Sequence, residues 1–114
     1  MDLDIKENGA ICTLKLKGRL VCGEPVDRFE AAFHSALTGG HICLIVDLEA
    51  MPYLDSSGIG SLVNALKTSS KAGGSTKLVK PTSFVSKMLK MVGVFNLFAV
   101  FESEDEAVAA CAGS

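Results

Sequence analysis

The sequence predicts a single α/β domain: a mixed, mainly parallel sheet with about four helices and an N-terminal antiparallel β-hairpin. Three observations predict it. The first 17 residues alternate apolar and polar around an Asn8-Gly9 pair. After them, strand-like apolar runs alternate with segments of helical period. Glycine or proline marks most of the boundaries between the two kinds of segment.

The elements follow in order. Asn and Gly both tolerate positive φ, so Glu7-Asn8-Gly9-Ala10 reads as a two-residue hairpin turn between strands at about 2–7 and 10–17. From Pro25 the period changes. Val26, Phe29, Phe33, Ala36 and Leu37 recur at helical spacing, and Gly39-Gly40 ends that helix. Residues 42–48 are nearly all apolar, as in a strand covered on both faces. Ile59, Leu62, Val63 and Leu66 mark a second helix at about 57–72, closed by Gly73-Gly74. Residues 76–80 form a short strand. Pro81 and Thr82 open a third helix, with Val85, Met88, Leu89 and Val92 inward and Gly93 at its end. Residues 97–101 give a last short strand, and Ser103-Glu104-Asp105-Glu106 fits a capping box opening a helix that runs to about Cys111. Strands alternating with helices imply parallel pairing through right-handed crossovers. The whole chain, 1–114, reads as one domain without repeats or linkers.

Bulk properties restrict function. At 114 residues, 48% hydrophobic and 21% charged, the chain has an ordinary globular composition and enough length for a core. A net charge of −2 and a pI near 5.6 argue against a nucleic-acid binder, which needs a basic face. No apolar run reaches the roughly 18–20 residues of a membrane span, which argues against membrane insertion. The charged start, Met1-Asp2-Leu3-Asp4, lacks signal-peptide features, and the expected setting is cytoplasmic. The four cysteines, at 12, 22, 43 and 111, include no C-x-x-C pair. Cys12 and Cys43 sit in apolar patterns and read as small buried hydrophobes, so the expectation is structural thiols and no metal site.

The segment Met51-Pro52-Tyr53-Leu54-Asp55-Ser56-Ser57-Gly58-Ile59-Gly60 lies where a strand's carboxyl end passes into a helix, the usual functional edge of an open α/β sheet. On local sequence alone, helix capping by Asp or Ser is the stronger reading. Enzymatic readings fail. The segment lacks the G-x-S-x-G elbow, and Gly73-Gly74-Ser75-Thr76-Lys77 holds P-loop residue types in the wrong order. Gly58 and Gly60 alone make no dinucleotide fingerprint. The two histidines, His34 and His41, lie at or beyond the end of helix one, with nothing to support them as a base for Ser56. The alternative to capping is a phosphoacceptor. A serine at a helix N-terminus projects its hydroxyl outward, and glycines 58 and 60, flanking Ile59, would let another protein's active site approach. A phosphate adds about −1.5 to −2 charges. The helix N-terminus tolerates it, by roughly 0.3–1 kcal/mol, while a partner's interface beside Asp55 would repel it. A binder of small molecules or nucleotides through the backbone amides of residues 56–60 is the weaker alternative, since no Lys or Arg is near in sequence.

These residues carry a resemblance. An apolar strand ending in Asp47-Leu48, then MPYLDSSGIGSLV, Lys71-Ala72-Gly73-Gly74, and LVKPTSFVSKMLKMVGVFNLFAVFESEDEAV resemble, over essentially the whole chain, the anti-sigma factor antagonists, small bacterial STAS-domain proteins. The resemblance implies a transcription-regulating partner switch. The unphosphorylated protein would bind an anti-sigma factor that is also a GHKL-type serine kinase. That kinase, using its own ATP and Mg²⁺, would phosphorylate Ser56 (with Ser57 as second choice), and a PP2C-type phosphatase would restore the free form. The chain itself would be no enzyme and hold no cofactor. Its partner-binding surface would comprise Asp55, Ser57, Gly58, Ile59 and Gly60. Where the family often has Gly-Glu-(Leu/Ile)-Asp after strand two, this chain has Gly18-Arg19-Leu20-Val21, so Arg19 joins that surface, with Glu24 as a replacement carboxylate. A non-switching STAS scaffold, part of another regulatory or lipid-transport assembly, is the competing expectation. Lys87 and Lys90 read as solvated charges, Met91 with Val94 and Phe95 as a candidate contact patch, and Tyr53 as a core-edge aromatic.

Overall fold

The computed structural model describes residues 1–112. Strands β1 (Asp2–Asn8) and β2 (Ile11–Lys17) form the antiparallel hairpin, and β2, β3 (Cys43–Asp47), β4 (Ser75–Val79) and β5 (Ala99–Phe101) continue it in parallel, in the spatial order β1-β2-β3-β4-β5. Helices α1 (Glu24–Thr38), α2 (Ser56–Lys71), α3 (Ser83–Met91) and α4 (Glu104–Ala112) make the crossovers and the terminus, with a 3₁₀ turn at Phe95–Leu97. Fold class, the order of elements along the chain and helix positions agree with the sequence expectation.

Local chemistry explains the boundaries. Asn8 pairs with Ile11, so the hairpin turn is Gly9-Ala10, one residue later than the Asn-Gly reading. Only Gly9 takes positive φ there, +60°, and a single positive φ at the first central position is what a II′-type turn requires. Three helices end alike. Gly40, Gly73 and Gly93 follow α1, α2 and α3 at positive φ. The residue after each donates back to the carbonyl of Ala36, Ser69 or Leu89, closing a Schellman motif. Ser103 Oγ accepts from the Glu106 amide at 3.1 Å, while Glu106 reaches back to the Glu102 amide rather than to that of Ser103. The capping box therefore closes one residue early.

Two cores of unequal size sit on the sheet's faces. On one, Leu14, Leu16, Leu44, Val46 and Leu78 pack against Phe29 and Phe33 of α1, Leu62 of α2, and Val85 and Leu89 of α3. On the other, the buried apolar cluster among the described residues is Ile45, Val79 and Ala107 of α4, flanked by Ile11, Phe101, Val108 and Cys111. β3 is buried at every position because it is central and covered on both sides. Val92, expected inward, is 53% exposed: α3 stops at Met91, and Val92 turns outward as its C-cap.

The cysteine reading needs correction. Cys43 and Cys111 form a disulfide with Cα atoms 6.3 Å apart, joining β3 to the end of α4. The apolar run that marked Cys43 as buried was right about burial and silent about its partner. The pair is 68 residues apart in sequence, and only the crossover topology brings it together. Cys12 and Cys22 are free thiols, buried and exposed respectively. Burial pushes the Cys12 thiol up to about 11.

Candidate functional site

Asp55, not a serine, caps α2. Its Oδ1 accepts from the Gly58 amide at 2.9 Å, the third helical residue, and its carbonyl accepts from the Ile59 amide at 3.0 Å. Its other carboxylate oxygen accepts from the Cys22 amide at 2.9 Å, across 33 residues of sequence. These backbone donors, Cys22 first and Gly58 second, hold the Asp55 carboxyl below its ordinary value of 3.8. One side chain thus fixes the start of α2 and ties it to the loop that follows β2.

Ser56 is the first residue of α2 and is exposed, whereas Ser57 is half-buried. With the cap supplied by Asp55, the Ser56 hydroxyl forms no hydrogen bond among the described residues and faces solvent. Of the capping candidates open in the sequence, Asp55 takes the cap, and the adjacent Ser56 stands outside it.

The glycines also separate. Gly60 is exposed, and a Cβ there would meet nothing within 4 Å. Gly58 is buried, and a Cβ there would lie 2.2 Å from the Leu20 carbonyl oxygen and 3.0 Å from Leu54 Cβ. Its lack of a side chain serves close packing of α2 on the Leu20 backbone, not the open approach suggested by the sequence. Ile59 is 7% exposed and belongs to the main core. Gly58 and Ile59 therefore lie behind the surface they were expected to form, because the first turn of α2 rolls them inward.

The segment after β2 comes alongside the motif. Leu20 forms a parallel bridge with Leu54, its amide donates to the Tyr53 carbonyl at 3.0 Å, and the Asp55 amide donates to the Leu20 carbonyl at 3.3 Å. Arg19 is exposed, with its guanidinium 4.8 Å from the Tyr53 ring centroid. Tyr53 in turn stacks on Phe84 of α3, with centroids 5.2 Å apart. The strand pairing thus delivers a cation that is remote from this loop in sequence, and Tyr53 is the middle of a surface stack rather than a simple core-edge ring. Phe84, 39% exposed, was not anticipated. A lone aromatic in the first turn of a helix gives no sequence signal of a stacking partner. Glu24 is exposed and faces Arg28 of its own helix at 3.6 Å, which leaves its carboxylate engaged there.

The histidines lie toward the opposite end of the strands from the serine. His41 contacts Glu7 and the Gly9 carbonyl at the amino ends of the parallel strands, and the His34 ring lies tilted against Phe33 late in α1. Ser56 follows the carboxyl ends. Among the described residues no group of three His, Cys, Asp or Glu side chains is placed to hold a metal ion. A cleft of about 590 Å³ runs along α3 between Pro81 and Met91, and the 55–60 motif is not part of its lining. Lys87 and Lys90 stand on that outer face, Lys90 lying over the Phe95 ring. Met91 is 70% exposed, while Val94 and Phe95 pack against the main core.

This fold is found elsewhere. SpoIIAA, an anti-sigma factor antagonist solved in its unphosphorylated form, is 22% identical, with a TM-score of 0.86 over 99% of this chain and 98% of its own. The phosphorylated form of the Bacillus cell fate determinant SpoIIAA superposes with a TM-score of 0.78 at 21% identity, covering 96% and 98% of the two chains. A sulfate transporter family protein from Wolinella succinogenes has the same fold, with a TM-score of 0.77 at 18% identity over 90% of this chain and 85% of that one. At such identities these likenesses speak for the fold. Residues 2–107 match the STAS domain as a family. With that match spanning all five strands and the whole Asp55-capped motif, the chain belongs to the STAS domain family.

Proposed function

We propose that this protein is a phosphorylation-switched anti-sigma factor antagonist, a binding module and kinase substrate rather than an enzyme. The unphosphorylated chain binds an anti-sigma factor of the GHKL kinase type in the bacterial cytoplasm and so regulates transcription. The kinase brings ATP and Mg²⁺ and transfers a phosphoryl group to Ser56. The charged form lets go, and a PP2C-type phosphatase returns it to the binding state. The observation that carries this reading is the division of labour at the start of α2: Asp55 holds the cap, which leaves the neighbouring Ser56 hydroxyl exposed and unengaged.

The energetics favour a switch on docking over one on folding. A phosphate on Ser56 leaves both bonds to the Asp55 carboxylate in place and sits at the positive end of a 16-residue helix. Pressed into an interface beside the Asp55 charge, the same group is desolvated and repelled. A mispaired buried charge costs about 2–5 kcal/mol, a loss of tens to thousands of fold in affinity. The exposed residues nearest the motif, Arg19, Pro52 and Gly60, form the docking surface together with the Tyr53 and Phe84 stack.

The test is transfer of labelled phosphate from ATP by a GHKL-type anti-sigma kinase of the same organism. Ser56→Ala should abolish labelling and keep kinase binding strong. Labelling of Ser56→Ala at normal stoichiometry would overturn the assignment and move it to Ser57. The likeness to a sulfate transporter family protein favours a second reading, a non-switching scaffold of another assembly. Absence of any phosphate after incubation with host extract, together with tight binding to an unrelated complex, selects that reading.

A further inference from the structure

The face of the sheet opposite Phe29 and Leu62 holds chemistry that the Ser56 reading does not use. Among the described residues, α4 covers that face through a small buried apolar cluster, Ile45, Val79 and Ala107. Its amino end is held by the Ser103 cap and by an exposed ion pair between Glu104 and Lys6 at 2.7 Å. Its carboxyl end is held by the disulfide to Cys43. A cleft of about 220 Å³ is lined by both cysteines together with Ala10, Ile42, Gly74 and Ser75. Beside the disulfide stands Lys77, 7% exposed, on the neighbouring strand. Its ammonium donates to Ser75 Oγ at 2.7 Å and approaches Cys43 Sγ at 3.8 Å, and among the described residues it has no carboxylate partner. A buried lysine without a counter-ion is costly to keep charged, and burial lowers its pKa. A thiolate at Cys43 would supply the missing anion.

We propose that Cys43 and Cys111 form a reversible dithiol–disulfide pair, a redox modification site that clasps α4 to the back of the sheet and releases it on reduction. The two sulfurs have different roles. Cys111 is half-exposed and Cys43 is 7% exposed, so an incoming thiolate of a dithiol reductant attacks Cys111 Sγ. The protein's S–S bond breaks, and its electron pair leaves with Cys43 Sγ as a thiolate facing the Lys77 ammonium. The second thiol of the reductant attacks the mixed disulfide and frees the Cys111 thiolate. Each protein sulfur then takes a proton according to its own basicity. The reductant leaves as its disulfide, having passed two electrons to the pair. Cys12, buried and with its thiol pushed up to about 11, stays outside this exchange. The proposal is independent of the Ser56 reading, since the two sites lie on different elements and opposite ends of β3.

The test equilibrates the full chain in mixtures of reduced and oxidised dithiothreitol. Alkylation of Cys43 and Cys111 is read peptide by peptide by mass spectrometry, and hydrogen exchange is read on α4 and on β3. On reduction, both cysteines should become alkylatable, and exchange over 104–112 should speed up at least about tenfold with β3 still protected. Reoxidation should reverse both changes. Lys77→Met should slow alkylation of reduced Cys43 about tenfold at neutral pH, and Lys77→Arg should restore it. Cys111→Ser should exchange over 104–112 like the reduced protein, which checks the clasp without any variant at Lys77. Unchanged exchange on α4 after reduction overturns the proposal. So does collapse of protection across the whole sheet, which would make the bond a global staple, and so does Cys43 alkylation indifferent to residue 77.

Discussion

Two glycines two residues apart should respond to the same substitution with opposite signs. In Gly58→Ala the new methyl carbon starts 2.2 Å from the Leu20 carbonyl oxygen and 3.2 Å from its carbonyl carbon. An ordinary contact requires a displacement of more than about 1 Å, and the obstacle is backbone rather than the end of a flexible side chain. Leu20 is pinned by its amide bond to the Tyr53 carbonyl and by its carbonyl bond from the Asp55 amide. Overpacking of this kind costs about 1–3 kcal/mol, and here the upper part of that range applies because two hydrogen bonds move with Leu20. Replacing glycine in a helix returns at most about 1 kcal/mol. The net is a loss of roughly 1–2 kcal/mol for Gly58→Ala. Gly60→Ala meets nothing within 4 Å and should gain about 0.5–1 kcal/mol. Urea unfolding of both variants beside the parent reads the difference, expected near 2 kcal/mol at unchanged m-value. Equal stability of the two variants would refute the claim that α2 is seated directly on the Leu20 backbone, and with it the mechanism that carries Arg19 to the motif.

Other consequences follow from the same contacts. Asp55→Ala should destabilise the protein in a pH-dependent way. The folded carboxyl titrates below 3.8, so its stabilisation is fully present above that pH and is lost as pH falls through the depressed folded value. Melting curves of parent and variant should therefore lie far apart at pH 7 and converge only in strong acid. Arg19→Ala removes an exposed cation–π contact worth about 0.5–1 kcal/mol and should weaken kinase binding severalfold. Arg19→Glu should weaken binding further, as measured by calorimetric titration, if the partner's complementary charge is negative. Cys111→Ser removes a tie between β3 and α4 that spans 68 residues of sequence, and exchange protection should fall over 104–112 while that of β2 and β3 stays, read by native-state hydrogen exchange under non-reducing conditions.

Much of the architecture is legible in the sequence because local and tertiary signals coincide. The apolar run at 42–48 reads as a central strand and is one, since nothing but burial on both faces accounts for so few polar positions. Gly73-Gly74 ends α2 because the first takes a positive φ and the second carries the returning hydrogen bond. The site is legible in part. Asp55 and Ser56 are visible as a strand-to-helix junction, but which of them caps depends on a bond to Gly58 and another to Cys22, and the latter spans 33 residues. Gly58 reads the same as Gly60 in sequence, and only the Leu20 backbone beneath it distinguishes them. The stack of Arg19, Tyr53 and Phe84 draws on three separate segments, and no period or motif links them. The disulfide is hidden for the same reason: an apolar run reports that Cys43 is inside, not what lies opposite.

The account turns on charge at Ser56 changing association and not folding. The most direct measurement uses the chain carrying phosphoserine at position 56, with its melting temperature and its affinity for the GHKL-type kinase determined beside those of the unmodified protein. Affinity should fall at least tens of fold with melting unchanged to within a few degrees. Equal affinity of the two forms, or a phosphorylated chain that melts far earlier, would contradict it.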